Sequence, residues 1–158
     1  DFPIPAHSRH SFNLSDYVTD WDVSTRVTAS DEVICERAMY GNGRTWAHDS
    51  IGVTSPANEW YLAEGCTQGG METWVLVQNP GNTQVTVDLT FMTSSGQQAG
   101  PQDFPIPAHS RHSFNLSDYV TDWDVSTKVT SDGGQVICER AMYGNGRTWA
   151  HDSIGYTP

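Results

Sequence analysis

The sequence predicts an all-β protein, an immunoglobulin-like antiparallel β-sandwich of about seven strands in a repeat of about 102 residues. Three observations lead to this fold class. Thr, Ser, Gly, Asn and Val are plentiful and only 17% of residues are charged, a composition that favours strands and turns over helices. Apolar and polar residues alternate along several short segments. Turn residues separate these segments at regular intervals, and none has the periodicity of a long helix.

The strongest strand signal lies at residues 83–93, where Val, Leu and Phe alternate with Thr and Asp as in a half-buried antiparallel strand. An Asn-Pro-Gly-Asn turn at residues 79–82 separates it from a nearly continuously apolar strand at 72–79. The Gly- and Gln-rich residues 94–101 predict a loop. The remaining predicted strands are residues 59–65, an edge strand carrying Pro105 and Pro107, and residues 110–117, 125–130, 135–143 and 147–155.

An internal repeat decides the domain organisation. Residues 1–28 recur at 103–130 with a single change, Arg26 to Lys128, and residues 33–52 recur unchanged at 136–155. The period is that of a whole domain and is too long for a solenoid unit. Because residues 53–102 occur only once, the sequence predicts three parts. These are the C-terminal half of a preceding repeat at 1–53, a linker at 54–59 and a complete domain at 60–158.

The three cysteines predict one disulfide within the complete domain. Cys35 and Cys138 occupy equivalent positions in the repeat, which leaves Cys66 and Cys138 as the pair available at 60–158. We predict that these two form a disulfide in an oxidising compartment, with Cys35 pairing to a missing upstream half or to a neighbour. Two alternatives stay open, a Cys35–Cys66 bridge across the linker and three buried free thiols.

The charge narrows the classes of partner. Asp and Glu outnumber Lys and Arg by 9 to 4 in residues 1–59 and by 10 to 4 in residues 60–158, so the net charge of −11 is spread evenly as −5 and −6. Such a surface predicts no binding of nucleic acid or of anionic membrane. No segment approaches the roughly 18 consecutive apolar residues of a membrane span, so no membrane insertion is predicted.

One loop carries a cluster of carboxylates that makes it a candidate calcium site. Asp118, Asp122 and Asp124 lie close together in sequence, and the cluster recurs in the first copy of the repeat. Calcium takes six to eight oxygen ligands, and the EF-hand pattern with its glycine is absent. The simpler interpretation is turn capping and solvation, so neither a metal nor another cofactor is predicted.

The last predicted hairpin carries a candidate ligand surface made of Tyr143, Arg147 and Trp149. Aromatic rings bind sugars by stacking, although a small sandwich also fills its core with such rings. The neighbouring pair Glu139-Arg140 predicts a buried or edge-facing ion pair that holds the strand register.

Catalysis is not predicted. The pair His151-Asp152, repeated at His48-Asp49, contains residue types used in catalytic dyads, but adjacent residues on a strand point to opposite faces. No Gly-x-Ser-x-Gly motif supplies a nucleophile, and nothing in the spacing of the glutamates brings two together.

Several motifs in combination resemble an uncharacterised bacterial domain family. They are WYLAEG at 60–65, ETWVLVQNP at 72–80, the proline-containing strand, ERAMY at 139–143 and HDSIG at 151–155. Members of that family occur as tandem copies in large secreted or cell-surface proteins. The resemblance implies an extracellular, bacterial cell-surface location and a β-sandwich fold. It brings no activity, catalytic residue or ligand with it.

Together these observations predict a non-enzymatic extracellular structural repeat, such as a stalk, surface-layer or filament component. Its expected partners are repeats of the same protein. Residues 1–53 would lack their first strands and expose sheet edges, so they predict head-to-tail self-association by strand complementation. The alternative is a carbohydrate-binding or adhesive module of a cell-surface protein, with glycans as partners.

Overall fold

The computed structural model describes residues 1–158 and contains eleven strands, which pair antiparallel throughout. The all-β prediction is confirmed. The strands are β1 Glu36–Gly41, β2 Trp46–Ile51, β3 Glu59–Leu62, β4 Glu72–Asn79, β5 Val85–Thr93, β6 Gly96–Ala99, β7 Phe104–Ile106, β8 Ser110–Asn115, β9 Val125–Asp132, β10 Ile137–Gly144 and β11 Trp149–Ile154. Three short 3-10 helices lie at Leu14–Asp16, Asn42–Arg44 and Leu116–Asp118. None of the helical segments is long and apolar enough to span a bilayer.

Strands β3–β11 form two sheets around one hydrophobic core. One sheet has the order β11-β10-β4-β8, and the other has the order β3-β9-β5-β6 with β7 also paired to β5. Both sheets contribute inward side chains to the same cluster, because alternate residues of a strand point to one face. The largest buried side chains in this core are Trp60, Phe91, Phe114, Leu89, Ile106 and Leu116.

The predicted number of strands is too low, since residues 59–154 hold nine strands where about seven are expected. The segment predicted as a loop at 94–101 contains β6, which pairs with the end of β5, while β7 pairs with the beginning of β5. Two short strands therefore cover one edge of a single long strand. The fully exposed β6 has no buried face, so it leaves no hydrophobic alternation in the sequence.

The two sequence copies fold differently. The β1–β2 hairpin has the same register as the β10–β11 hairpin, with Glu36 opposite Ile51 and Glu139 opposite Ile154. Residues 1–35 contain no strand, although the nearly identical sequence at 103–130 forms β7, β8 and most of β9. Those three strands pair with β3, β4 and β5, all of which come from the unrepeated segment.

Part of the N-terminal segment lies along the outer side of β8. The hydroxyl of Ser113 donates to the Asp22 carboxylate at 2.9 Å, and Arg111 donates to the backbone carbonyl of Val23 at 3.3 Å. These contacts involve side chains of β8 and leave the backbone of residues 1–35 outside any sheet.

The predicted disulfide between Cys66 and Cys138 is wrong, because all three cysteines are free thiols. The backbone N–H of Cys66 donates to the Thr73 hydroxyl, while Cys138 lies opposite Val77. Thr73 and Val77 are four residues apart on β4, which corresponds to about 13 Å along a strand. A disulfide requires Cα atoms within about 7 Å of each other. Cys138 is instead a core residue, and burial raises the pKa of its thiol.

Candidate functional site

The most heavily charged buried contact joins the two sequence copies. The β1–β2 hairpin packs on the outer face of the β10–β11 hairpin, through contacts between β2 and β11. In each hairpin the strand alternation gives two different faces. One face carries Arg, His and Trp, and the other carries Glu, Tyr and Asp. The Arg face of the first hairpin contacts the Glu face of the second.

We call this contact the Arg37 cluster, which consists of Arg37, His48, Glu139, Tyr143 and Asp152. The guanidinium of Arg37 donates to both Glu139 and Asp152. His48 Nδ1 lies 3.0 Å from Asp152 Oδ2, and His48 Nε2 lies 3.3 Å from the Tyr143 hydroxyl. Two cationic or polar side chains of the first copy thus meet three acidic or polar side chains of the second.

The centre of the cluster is shielded from water. The side chains of His48 and Asp152 are 2% and 1% exposed. Trp46 stacks on His48 with ring centroids 5.7 Å apart and packs edge-to-face on Tyr143 at 5.3 Å. One oxygen of Asp152, Oδ1, is buried without a hydrogen-bond partner. Charge pairs in such a low-dielectric setting interact more strongly than exposed pairs do.

The two carboxylates of the cluster titrate differently. Burial raises the pKa of Glu139 to about 7, with a further upward contribution from Asp152, and Arg37 only partly opposes this. Burial also pushes the pKa of Asp152 upward, but the hydrogen bond from His48 and the charge of Arg37 outweigh it, so this pKa lies well below its usual range. Two carboxylates that share one cation commonly separate in this way, because both cannot ionise at equal cost.

The side chains of the cluster bind one another and thereby join the two hairpins. Its carboxylates are engaged by Arg37 and His48, and Trp46 covers one side. Removing one member would leave a buried charge unpaired, which is costly. The arrangement therefore holds the first hairpin in one position on the second.

The predicted Glu139–Arg140 ion pair is wrong. These adjacent residues point to opposite faces of β10. Glu139 pairs with Arg37 of the first copy, whereas Arg140 Nη2 lies 3.3 Å from Oε2 of the largely exposed Glu64. Each charge has a partner from another part of the chain, so the pair does not hold strand register by itself.

The predicted ligand surface is only partly assembled. Tyr143 and Arg147 lie together, with the guanidinium 5.1 Å from the ring centroid, and Arg147 also forms an ion pair with Glu72 at 2.6 Å. Trp149 lies opposite Gly144, so it projects from the other face of the hairpin than Tyr143 does. Trp149 stacks instead on His151, and 39% of its surface is exposed.

The predicted calcium ligands are not brought together. No group of three or more His, Cys, Asp or Glu side chains is placed to hold a metal ion in the described chain. Asp122 accepts from the Ser94 hydroxyl at 2.8 Å and from the backbone N–H of Asp124 at 3.0 Å. Asp124 lines a groove of about 330 Å³ with Glu64, and Asp118 lies in a 3-10 helix. The carboxylate of Asp122 acts as a turn cap, which agrees with the simpler interpretation.

Sequence reasoning missed the Arg37 cluster because it looked for partners within one copy. A signal for it exists in the repeated His-Asp pair. Adjacent His and Asp residues on a strand must face opposite ways, so each needs a partner from a different layer. In the structure the His48 of one copy meets the Asp152 of the other.

Comparison with one solved structure supports the fold. The chain is similar to the crystal structure of Thermotoga maritima 1070, with a TM-score of 0.58 and 16% sequence identity over 66% of this chain and 97% of that chain. It is also similar to the Anabaena sensory rhodopsin transducer, with a TM-score of 0.46 and 19% identity over 55% of this chain and 83% of that chain. At 16% identity the likeness to the Thermotoga structure concerns the fold alone. No curated protein matches the chain.

The sequence itself matches one family model. The match covers residues 49–139, which is more than half of the chain, and it extends from the end of the first hairpin to the middle of β10. It thus spans the unrepeated segment together with most of the second copy. The chain belongs to DUF5719, a family of unknown function.

Proposed function

We propose that this chain is a non-enzymatic structural repeat of a bacterial cell-surface protein, a stalk, surface-layer or filament component built from immunoglobulin-like β-sandwiches in tandem. Its role is to join to neighbouring copies and so to extend an assembly. Three features support this proposal: the acidic composition, the near-identical sequence copies and the Arg37 cluster, whose centre is shielded from water.

One face of the second hairpin binds Arg37 and His48. The observation that carries the proposal is that the equivalent face of the first hairpin is an open groove. Glu36, Tyr40 and Asp49 line a groove of about 200 Å³ on the outer face of the first hairpin. They are the sequence equivalents of Glu139, Tyr143 and Asp152, which hold Arg37 and His48. A neighbouring chain can dock on this groove with its own Arg37 and His48 if its first hairpin leaves its own second hairpin, and such an exchange would extend the array head to tail.

Residues 1–35 supply a second route to association. They carry the sequences of β7, β8 and β9 but pair with no strand, and apolar side chains such as Phe2 and Phe12 are exposed. Unpaired strand sequences with exposed apolar side chains are suited to β-strand addition on a neighbour.

An extracellular location is part of the proposal. It rests on the resemblance to tandem domains of secreted and cell-surface proteins. It draws no support from a disulfide, since the three cysteines are free.

The test is the mass of the full chain, measured by light scattering and sedimentation from dilute to concentrated solution. We expect a series of oligomers that grows with concentration. Reversing charges in the groove with Glu36→Arg and Asp49→Arg should remove the larger species. Asp31→Arg, in an exposed position outside the groove, is the matched control and should leave the series unchanged. A monomer at the highest concentration would contradict the proposal.

Trp149 favours the second candidate, a glycan-binding or adhesive module. Its ring is partly exposed yet held by stacking on His151, and Arg147 beside the same turn is held by Glu72. Rigid exposed aromatic rings are suitable platforms for sugars. Binding to a glycan array that is lost in Trp149→Ala but kept in Trp21→Ala would support this candidate, and silence of the wild type would remove it.

A further inference from the structure

Strands β3–β6 provide a binding surface for which the chain carries two nearly identical occupants. In the structure residues 103–155 occupy it. We propose that residues 1–52 of the same chain bind the same surface in an alternative fold, in which residues 103–155 are displaced. This inference concerns exchange within one molecule and does not depend on the proposed function.

The first copy has the side chains that the surface requires. Phe114 and Leu116 of the second copy are fully buried against β3–β6, whereas their equivalents Phe12 and Leu14 are 46% and 36% exposed. The first copy thus presents an apolar set that matches the core but is not buried. Burying such side chains is the main favourable term in folding.

The single substitution within residues 1–28 preserves the contacts at that position. Lys128 Nζ lies 2.7 Å from Glu59 Oε2 and 5.4 Å from the centroid of the Tyr61 ring. Arg26 in its place offers a guanidinium, which forms both an ion pair with a carboxylate and a cation–π contact.

The chain connection also permits the exchange. Tyr156 and Tyr61 exchange backbone hydrogen bonds of 2.8 Å, and Val53 would take the place of Tyr156 opposite Tyr61. From there the chain must reach Glu59, two residues back along β3 and one strand spacing away, a gap of about 8 Å. The six residues from Val53 to Glu59 can span up to about 20 Å. The linker therefore closes as a loop beside β3.

The hairpin end needed for this connection already has the required local structure. The backbone N–H of Gly52 donates to the carbonyl of Cys35 at 2.9 Å, as that of Gly155 donates to Cys138 at 3.0 Å. The β1–β2 hairpin would therefore enter the sheet without rearranging its own register.

The loop before the last hairpin explains why residues 103–155 are the occupant in the structure. The amide of Asn58 donates to the carbonyls of Ser131 at 3.2 Å and Gly134 at 3.0 Å, and Gly133 has a φ of 79°. The first copy has Ala-Ser-Asp-Glu at 29–32, which is one residue shorter and lacks glycine. Residues 1–52 would lose these loop contacts, so their fold is the minor form of the wild-type chain.

The test weakens one occupant at a time. Phe114→Glu places a carboxylate in the core and should displace residues 103–155 in favour of residues 1–52. Phe12→Glu is the matched control at the equivalent exposed position. The double variant, with both changes, leaves neither occupant intact and serves as the unfolded reference.

The free cysteines report which copy is bound. Cys138 is fully buried and Cys35 is partly exposed, so alkylation should modify Cys35 faster in the wild type and in Phe12→Glu. Tryptic peptides ending VICER distinguish the two sites, because the preceding residues differ between the copies. In Phe114→Glu we expect the order to reverse, with Cys35 protected at least about tenfold more than in the double variant.

The outcomes are distinct. Reversed thiol protection in Phe114→Glu, with a cooperative unfolding transition and a monomer mass, supports exchange within the chain. Equal reactivity of Cys35 in Phe114→Glu and in the double variant overturns it, as does protection that appears only in dimers. Neither result depends on whether the wild type forms oligomers, so this inference and the proposed function can fail separately.

Discussion

Residues 1–52 and 103–155 have almost the same sequence, yet the second copy forms five strands and the first forms only a hairpin. The difference lies in what each copy pairs with in the structure. The second copy follows residues 59–99, whose strands β3–β6 offer edges and an apolar face. The hairpin forms in both copies because its pairing is local, with a tight turn between the strands. Longer-range strands form only where partners exist, since a strand's backbone must be hydrogen-bonded and its apolar side chains buried.

The largest expected effect comes from the segment with which the second copy pairs. Trp60 is fully buried in the core, and its indole N–H donates to the carbonyl of Val136 at 2.8 Å. Trp60→Ala should lower the free energy of unfolding by about 3–5 kcal/mol. Trp21 is 96% exposed in the first copy, so Trp21→Ala should change it by less than about 0.5 kcal/mol. Urea titration of both variants measures the contrast, and equal losses would contradict the description of the core.

The next largest effect is a difference in hairpin stability between variants of Asp152 and of its equivalent in the first copy, Asp49. Asp152 holds Arg37 and His48, whereas Asp49 is exposed. Asp152→Asn should loosen the first hairpin and reduce hydrogen-exchange protection of β1 and β2 by about ten- to a hundredfold, corresponding to about 1.4–2.8 kcal/mol. Asp49→Asn should leave that protection unchanged. Unaltered exchange in Asp152→Asn would show that the Arg37 cluster does not hold the hairpin.

A pH titration distinguishes the equivalent glutamates. The pKa of Glu139 is raised from 4.5 to about 7, so the folded chain binds more protons than the unfolded chain between these values. The free energy of unfolding should therefore fall as pH rises from about 4.5 to about 7, by about 1–3 kcal/mol. Below about 4.5 the contribution is fully present, because Glu139 is protonated in both states.

Glu139→Gln should flatten this part of the stability profile, and Glu36→Gln at the exposed equivalent position should not. Chemical denaturation at several pH values provides the measurement. A profile that rises across the same range in the wild type would have the wrong sign for this cause.

The smallest effect concerns the turns of the two hairpins. Arg147 forms an ion pair with Glu72 and lies over Tyr143, while Arg44 has only the contact with the Tyr40 ring at 5.6 Å. The Arg147 side chain is 44% exposed, so solvent screening limits the value of this pair. Arg147→Ala should cost about 0.5 kcal/mol in thermal or urea unfolding, and Arg44→Ala less. A loss several times larger for Arg147 would indicate that the pair is effectively buried.

Local patterns predict most strands of residues 59–154. The predicted strand at 72–79 coincides with β4, and the alternation at 83–93 contains β5. The prediction failed at β6, whose Gly, Gln and Ala residues are all exposed, because pairing with a free edge leaves no hydrophobic pattern. It also failed for the disulfide, since sequence counting gives no distance between Cys66 and Cys138 along β4.

The Arg37 cluster was harder to predict from the sequence than the strands were, because it joins residues of the two copies. The sequence indicates Tyr143, but as part of a surface with Trp149, which lies on the other face of the hairpin. The partners of Arg37 are not predictable from strand patterns because they lie more than 100 positions away. Spacing along a strand tells which side chains share a face but does not tell which layer covers that face.

The sequence alone determined the all-β class, the internal repeat and the local hairpin register, because strand period, residue identity and turn chemistry are all encoded over short distances. Only the tertiary structure decided which copy enters the sheets, where each cysteine lies and which charges meet in the Arg37 cluster. These outcomes depend on pairing edges and buried faces supplied by distant residues. Residues 103–130 therefore fold into strands while their near-identical counterpart at 1–28 does not.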